Sequence, residues 1–184
     1  MNEYLAWFDG ACEPVNPGGT ASFGVVIKDK DGIVLLREHG VVGKGKAMSN
    51  NVAEYAGILH ILKYLGSRPP GRLTIHGDSN LVINQLSGKW RVRKGLYLAI
   101  AIETRELLAH LRGLGWQINF CWIPREQNEE CDALSKNIGN TPDPIERIND
   151  RPDNQDHQDN RAQEGFITKA ALPINPSLPG RSVS

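Results

Sequence analysis

The spacing of hydrophobic positions changes several times along this chain, and each spacing predicts a different kind of element. Three short runs of β-branched and large apolar residues predict β-strands over residues 3–10, 24–29 and 33–40. A loop of turn formers over residues 10–24 separates the first two runs, and the hairpin signal Asp31-Gly32 separates the last two. Two antiparallel connections in succession predict a three-stranded meander, followed by a loop over residues 41–51.

The spacing then becomes helical. Asn51 stands three residues before Glu54, which resembles a capping box with Asn51 as the N-cap of a first helix. Gly66 and the Pro69-Pro70 pair end this helix. Apolar residues recur every three or four positions between these limits and predict one buried face: Tyr55, Ile58, Leu59, Leu62 and Leu65.

Strands and helices alternate over the rest of the body. We predict a strand over 72–78, a short helix over 81–88, a longer helix over 95–112, a strand over 117–123 and a final helix that carries Asp132. The longer helix is expected to bury one side, formed by Leu96, Ile100, Leu107 and Leu111. The order βββαβααβα predicts an α/β fold with a five-stranded mixed sheet, the antiparallel meander plus parallel strands, flanked by helices.

The last part of the chain differs in composition from the body. Six of the 11 prolines lie within residues 139–184, and residues 149–163 are almost free of apolar side chains. Such a segment cannot bury enough surface to offset its ordering entropy, so we predict a largely disordered polar tail after a domain over residues 1–138. Residues 165–179 have modest apolar content, and they could dock on the body or on a protein partner.

Composition and charge indicate what kind of partner and which compartment suit this protein. The chain has 21 basic and 21 acidic residues, but the body through residue 138 carries 16 Lys and Arg against 14 Asp and Glu. That excess suits a polyanionic partner without establishing one. The three cysteines, Cys12, Cys121 and Cys131, form no CxxC pair and favour a reducing compartment. Because we find no signal peptide and no membrane-spanning run, we expect a cytoplasmic protein without a membrane partner.

Four acids fall where this fold would bring them together. Asp9 and Asp78 each end a predicted strand, and the two strands are expected to be parallel neighbours, so their carboxylates would lie side by side at the carboxyl edge of the sheet. Glu54 would lie in the first turn of the first helix, and Asp132 would start the last helix. Taken singly, each acid has an ordinary alternative role as a turn, cap or surface residue.

Together, four carboxylates at one edge would raise each other's pKa unless a cation neutralised them. One or two hard divalent ions, Mg²⁺ or Mn²⁺, are the simplest neutralisers, and a pair of ions about 4 Å apart catalyses phosphodiester hydrolysis. The chain offers no Ser-His-Asp or Cys-His set and no HExxH spacing. His60 and His76 are expected to be ordinary core or surface histidines.

Four segments carry a resemblance to a known family: FDGACEPVNPGG, SNNVAEYAGILHIL, IHGDSNLVINQLSG and WIPREQNEECDALS. Together they resemble type 1 ribonuclease H over residues 4–138. The resemblance implies a ribonuclease H-like fold, and endonucleolytic cleavage of the RNA strand of RNA·DNA hybrids that leaves 5′-phosphate and 3′-hydroxyl ends. It also implies two Mg²⁺ ions, with Mn²⁺ able to substitute: Asp9 would bridge both ions, Glu54 and Asp78 would complete one site, and Asp132 would complete the other.

The resemblance further implies a surface for the hybrid. Gly10 and the loop over 16–19 would let a ribose approach the acids, with Glu54 beside the 2′-hydroxyl. The basic segment over residues 89–94 would contact phosphates, with a solvated loop as the alternative. Turn and cap duties are the alternatives for two of the asparagines, Asn16 and Asn51. The complete set of implied nucleic-acid contacts is Gly10, Asn16, Ser49, Asn50, Asn51, Asn80, Lys89, Trp90, Arg91 and Arg93.

The chain departs from the family pattern at two places. Its basic segment is short where many members have a larger basic protrusion, so we expect modest, salt-sensitive hybrid affinity. The loop before Asp132 lacks the histidine that some members carry there, and Arg125 and Glu126 are the candidates to replace it. Two alternative hypotheses stand beside a monomeric ribonuclease H: another nuclease or integrase of the same fold, and a catalytically silent nucleic-acid-binding module.

Overall fold

The computed structural model describes residues 1–137, along which strands and helices follow the predicted order. The first half holds β1 (Asn2–Glu13), β2 (Thr20–Asp29), β3 (Val34–Lys44) and α1 (Asn50–Gly66). The second half holds β4 (Gly71–Gly77), α2 (Asn80–Leu86), α3 (Leu98–Gly113), β5 (Gln117–Trp122), a single 3-10 turn (Arg125–Gln127) and α4 (Glu129–Ser135). The predictions of disorder and docking for residues 139–184 lie outside the described residues.

The five strands form one mixed sheet in the order β3-β2-β1-β4-β5. β1 pairs antiparallel with β2, and β2 with β3, whereas β1 and β4 are parallel, as are β4 and β5. Tight turns can join antiparallel neighbours, but parallel neighbours need a longer crossover. The connection from β1 to β4 runs through β2, β3 and α1, and the connection from β4 to β5 runs through α2 and α3. The predicted α/β architecture is therefore confirmed.

Helices cover both faces of the sheet. The predicted apolar face of α1 is buried throughout, and it packs with Phe8, Val25 and Leu73 in the main core. Helix α4 lies against the opposite face, because a Cβ atom added to Gly24 would come within 2.5 Å of the Cys131 carbonyl oxygen. None of the helices within residues 1–137 is long and apolar enough to cross a membrane.

Strand β1 is longer than predicted, and this corrects the expected position of Asp9. The strand does not stop at Asp9 but continues to Glu13, and it stays paired with β2 until Glu13 faces Thr20. The predicted loop over residues 10–24 is therefore wrong apart from the turn between the two strands. The small residues Gly10 and Ala11 read as a loop, yet an antiparallel partner satisfies their backbone groups and keeps them extended. In the same way, β3 continues to Lys44 through residues predicted as loop.

Two helix starts also differ from prediction. Ser49, not Asn51, caps α1, since its side chain accepts a hydrogen bond from the Val52 N–H at 3.4 Å. The helix therefore begins earlier, and Glu54 lies in its second turn rather than its first. Helix α3 begins at Leu98 because Gly95, at φ 147°, breaks the backbone before it. Leu96 is consequently 48% exposed instead of buried.

Candidate active site

Asp9 lies at the point where β1 leaves its parallel neighbour. The last β1–β4 pair is Trp7 with His76, so beyond it β1 no longer pairs with β4. Asp9 is only 8% exposed, and burial raises its pKa to about 6. The hydroxyl of Ser135 donates a 2.6 Å hydrogen bond to Asp9 Oδ2 and partly opposes this rise, while the charges of Asp78 and Asp132 add to it.

Glu54 faces the same place from α1. Burial raises its pKa to about 8, against the hydrogen bond that the Ser79 hydroxyl donates to its Oε2 at 2.6 Å, and the charges of Asp9 and Asp78 raise it further. The helix comes this close to β1 because Gly10 has no side chain. A Cβ atom there would lie 2.4 Å from the Glu54 backbone nitrogen, so any other residue would push α1 away.

Asp78 follows the last residue of β4 and is fixed from two sides. The side-chain nitrogen of Asn128 donates to Asp78 Oδ1 at 3.0 Å. The indole N–H of Trp122 donates to the Asp78 carbonyl oxygen, also at 3.0 Å. Both donors come from the β5 end of the sheet or the segment beyond it, so the last third of the described chain holds this acid in place.

Asp132 is partly accessible, and its side chain is 23% exposed. It lies in the first turn of α4, where Lys136 donates to its Oδ2 at 2.7 Å and Arg125 binds its Oδ1. Its small burial would raise the pKa of Asp132, but the hydrogen bond from Lys136 and the charge of Arg125 outweigh that effect and lower it.

The four carboxylates open into one cavity of about 340 Å³. They come from four separate parts of the fold, and the charges of Asp78 and Asp132 help to raise the pKa of Asp9. In the described part of the chain, no three His, Cys, Asp or Glu side chains are already arranged around a common ion position. Donors of the chain itself engage each of the four acids instead.

The residues present nevertheless fit a hard divalent cation. All four side chains offer carboxylate oxygens, the ligand type that Mg²⁺ and Mn²⁺ prefer. Burial is the main cause of the raised pKa values of Asp9 and Glu54, and the neighbouring carboxylates add to it. The two cations that line the cavity, Arg125 and Lys136, are too few to balance four carboxylates. A cation would supply that balance, and Asp9, Glu54, Asp78 and Asp132 are the side chains that could hold it.

The predicted nucleic-acid contacts divide into three groups. Gly10, Asn16 and Asn50 line the cavity of the four acids. Ser49 is buried as a helix cap, and Asn51 and Asn80 lie in the first turns of α1 and α2. Three basic residues and one tryptophan lie on an exposed segment before α3 and do not line the cavity: Lys89, Trp90, Arg91 and Arg93. Asn16 also has the structural role considered for it, since its Oδ1 accepts from the Asn50 N–H at 3.1 Å.

The histidines considered in the sequence are not part of the cavity lining. His60 lies 3.1 Å from the Glu38 carboxylate, and His76 stacks on Trp7 and lies 3.2 Å from the Ala6 carbonyl oxygen. The sequence missed Asn128 and Ser135, which bind the acids directly. Lys136 was also missed, although its spacing of four residues from Asp132 on a helix is a recognisable ion-pair signal.

Comparison with known proteins places this fold and cavity in a family. A family model described as reverse transcriptase-like matches residues 7–138. Bifunctional protein Rv2228c of Mycobacterium tuberculosis is 31% identical over 121 residues, which cover 65% of this chain and 31% of that protein. Ribonuclease H of Dinoroseobacter shibae is 33% identical over 147 residues, covering 74% of this chain and 90% of the relative. The chain thus spans only about a third of the length of the first of these relatives.

Solved structures give the same result. The N-terminal RNase H domain of the M. tuberculosis protein, solved as a fusion with maltose-binding protein, has a TM-score of 0.63 at 30% identity and covers 73% of this chain and 91% of that one. LC11-RNase H1, solved in complex with an RNA/DNA hybrid, has a TM-score of 0.60 at 27% identity and covers 71% and 92%. The resemblance of the four sequence segments is thereby confirmed, and the chain belongs to the reverse transcriptase-like family as a type 1 ribonuclease H-like protein.

Proposed function

We propose that this protein is an endonuclease that hydrolyses the RNA strand of RNA·DNA hybrids and leaves 5′-phosphate and 3′-hydroxyl ends. One observation carries the proposal: four carboxylates from β1, α1, the end of β4 and α4 open into a single cavity in which their charge is not balanced. A stable fold has no need of such a cluster, because buried like charges destabilise one another.

In this proposal two Mg²⁺ ions, or two Mn²⁺ ions, are held by the four acids. Bound divalent ions activate a water molecule and stabilise the leaving oxygen in phosphodiester hydrolysis. As the family resemblance implies, Asp9 would bind both ions, Glu54 and Asp78 would complete one site, and Asp132 would complete the other. Ser135, Ser79 and Asn128 orient three of these carboxylates through hydrogen bonds.

The substrate surface is proposed around the same cavity. Gly10, Asn16 and Asn50 border the acids and would meet the RNA strand, with Glu54 near the 2′-hydroxyl that separates RNA from DNA. Lys89, Arg91 and Arg93 would bind phosphates of the DNA strand, and Trp90, which is 49% exposed, offers an aromatic surface for a deoxyribose. Ser49, Asn51 and Asn80 remain proposed contacts. We further propose a monomer in the cytoplasm, a location that the unpaired cysteines favour.

A cleavage assay on the full chain tests this function. End-labelled RNA annealed to DNA is incubated with Mg²⁺, with Mn²⁺ or with chelator, beside single-stranded RNA and duplex RNA. We expect internal, metal-dependent cuts in the hybrid alone, with new ends that accept ligation as 5′-phosphates. Asp9→Asn keeps the size of the side chain and removes its charge, so this variant should bind the hybrid without cutting it.

A binding module without catalysis is the second candidate. The ion pairs that Arg125 and Lys136 form with Asp132 favour this candidate, because they already neutralise that acid without a metal ion. Binding of the hybrid without cleavage under either metal, together with no metal-dependent rise in melting temperature, would support this candidate and reject the nuclease. Cleavage that disappears in Asp9→Asn would reject the module.

A further inference from the structure

The side-chain amide of Asn128 joins Asp78 to the backbone beside Asp9, and the backbone of the same residue is bonded to that of Asp132. Asn128 lies between the 3-10 turn and α4, and its Nδ2 donates both to Asp78 Oδ1 at 3.0 Å and to the Phe8 carbonyl oxygen at 2.9 Å. Phe8 directly precedes Asp9 in β1. The backbone of Asn128 also accepts a 3.0 Å hydrogen bond from the Asp132 N–H. One residue thus binds Asp78 itself and the backbone next to Asp9 and at Asp132.

The orientation of this amide is determined by its neighbours. Asn128 is only 2% exposed, and the two atoms that its amide group faces are both acceptors. Turning the amide over would place its oxygen against a carbonyl and a carboxylate, which is repulsive. The nitrogen must therefore point toward the acids.

Keeping this orientation leaves the other end of the amide unsatisfied. Asn128 Oδ1 is buried and has no hydrogen-bond partner among the described residues. Buried unsatisfied acceptors are rare because they destabilise the folded state. The unsatisfied oxygen is therefore a cost of this asparagine, and the two bonds that its nitrogen donates to Phe8 and Asp78 are what the residue contributes in return.

Helix capping does not explain the residue. Asn128 occupies the N-cap position of α4, where an asparagine side chain normally accepts a hydrogen bond from the helix backbone. Here the side chain makes no such bond and is directed at β1 and Asp78 instead. The ordinary reason for an asparagine before a helix is absent at this site.

We propose that Asn128 is a positioning residue, which fixes the Asp78 carboxylate relative to Asp9 and Asp132. The proposal rests on the proposed nuclease function. Carboxylates that repel one another need donors to hold them in one geometry, and outer hydrogen bonds of this kind orient metal ligands. The amide would keep one Asp78 oxygen bound to the protein and leave the other for a metal ion.

Two substitutions of Asn128 separate positioning from stability. Asn128→Ala removes the amide, and Asn128→Leu keeps a similar shape while removing both donors and the unsatisfied oxygen. Gln127→Ala is the matched control, because Gln127 is an exposed amide in the adjacent position. For each protein, kcat and KM are measured on the hybrid with Mn²⁺. The melting temperature is measured across a Mn²⁺ titration without substrate.

We expect kcat to fall by about 10- to 100-fold in both Asn128 variants, with a comparable loss of apparent Mn²⁺ affinity. KM for the hybrid should change by less than about threefold, because the substrate surface is untouched. Gln127→Ala should match the wild type in every measurement. The metal-free melting temperature of Asn128→Leu should fall, because the buried Phe8 carbonyl oxygen loses its donor, so kcat and Mn²⁺ affinity are compared at a temperature at which every protein is folded.

The contrary results are equally specific. A lower metal-free melting temperature with unchanged kcat and unchanged Mn²⁺ dependence would show a purely structural role and overturn the proposal. Failure of both Asn128 variants to fold, seen by circular dichroism, would overturn it as well. If the wild type itself neither cleaves the hybrid nor gains stability from Mn²⁺, the nuclease function fails and the positioning role fails with it. If the wild type cleaves the hybrid and both Asn128 variants match it in kcat and in Mn²⁺ dependence, the nuclease function stands and only the role of Asn128 is rejected.

Discussion

The Tyr55 hydroxyl donates a 2.7 Å hydrogen bond to Gln85 Oε1 in the interior of the protein, where the two residues are 0% and 4% exposed. The nitrogen of the same Gln85 amide donates to the Arg91 carbonyl oxygen at 3.4 Å and to the Tyr97 hydroxyl at 3.2 Å. The rings of Tyr55 and Tyr97 stack at 5.6 Å. Gln85 therefore connects the core helix α1 to the exposed basic segment that carries Lys89 and Arg93.

Gln85→Met should loosen the attachment of this segment to the core, although the Lys89 and Trp90 N–H groups stay bonded to the Asn84 carbonyl oxygen. Methionine has a similar volume but no amide, so the Tyr55 hydroxyl loses its partner, and we expect the free energy of unfolding to fall by about 1 to 3 kcal/mol. The hybrid should bind more weakly, with a smaller salt dependence, because the cations of residues 89–94 are no longer held in one arrangement. Hybrid affinity is measured by fluorescence anisotropy at several salt concentrations, and stability by urea unfolding.

Asn84→Ala is the control for Gln85→Met. Asn84 is the neighbouring residue of α2, and its side chain binds only within that helix, at the Asn80 carbonyl and side chain. Its removal should leave both hybrid affinity and salt dependence near the wild-type values. Equal loss of affinity in the two variants would count against a specific role of the Gln85 amide.

The buried acids should make the metal-free protein less stable as pH rises. The pKa of Asp9 is raised from 3.8 to about 6 and that of Glu54 from 4.5 to about 8, chiefly by burial. At a pH between the unfolded and the folded pKa of each acid, the folded protein binds more protons than the unfolded chain. The free energy of unfolding therefore decreases from about pH 4 to about pH 8. The shift of Asp9 alone corresponds to about 3 kcal/mol.

Urea unfolding in chelator from pH 4 to pH 8 measures this decrease. His76 has the opposite effect on stability, because burial lowers its pKa and the folded protein loses that proton at a lower pH than the unfolded chain. The contribution of Asp9 is therefore taken as the difference between the curves of the wild type and Asp9→Asn. The variant should lose less stability with pH than the wild type. Saturating Mn²⁺ should flatten the wild-type curve, since the ion replaces the protons. Parallel curves for the two metal-free proteins would contradict the assignment of the pH dependence to Asp9.

The sequence was sufficient for the architecture because the fold depends on features that are local in the chain. The apolar spacing from Tyr55 to Leu65 sets one helix face, and the Asp31-Gly32 turn sets one hairpin. The order of elements then leaves few ways to arrange a mixed sheet. The end of β1 could not be predicted in this way, because Gly10 and Ala11 are weak strand formers that only pairing with β2 keeps extended.

The candidate site shows the same division between local and long-range information. The four acids, which line one cavity, could be grouped in advance because each stands beside a predicted strand end or helix start. Their partners were not, because they are distant along the chain: Ser135 is 126 residues from Asp9, and Asn128 is 50 residues from Asp78. Neither the identity nor the spacing of these residues marks them as partners. Only the close approach of α4 to the sheet brings them to the acids.

Ser135→Ala should move metal binding to higher pH. The Ser135 hydroxyl has one proton, and the Asp9 carboxylate at 2.6 Å is a stronger acceptor for it than the Asp132 carbonyl oxygen at 2.9 Å. This bond lowers the pKa of Asp9, so its loss should raise that pKa further. Because metal binding requires the ionised acid, the pH at which Mn²⁺ stabilisation is half developed should rise by about one unit.

Thermal unfolding with and without Mn²⁺, repeated across pH, gives this midpoint for Ser135→Ala. Ser67→Ala is the control, since its hydroxyl also bonds a backbone carbonyl, that of Tyr64, but lies at the far end of α1. The control should keep the wild-type midpoint. An unchanged midpoint in Ser135→Ala would mean that the hydroxyl does not favour the charged form of Asp9.

Lys136→Gln should strengthen metal binding, because the lysine and a metal ion compete for one acid. Lys136 binds Asp132 Oδ2 at 2.7 Å while Arg125 binds the other oxygen, so a cation entering the site must displace or share with a positive charge of the chain. The lysine side chain is 40% exposed, and such surface ion pairs contribute at most about 1 kcal/mol. Apparent Mn²⁺ affinity should therefore rise by no more than about fivefold.

Isothermal titration with Mn²⁺ measures this affinity in wild type, Lys136→Gln and Lys63→Gln. Lys63 is the matched control because it forms an exposed ion pair with Glu103, 2.9 Å away on the neighbouring helix α3, and loses the same charge. A gain in both variants would reflect net charge rather than competition at Asp132. Weaker binding in Lys136→Gln alone would reverse the interpretation, since the lysine would then hold Asp132 in the orientation that receives the ion.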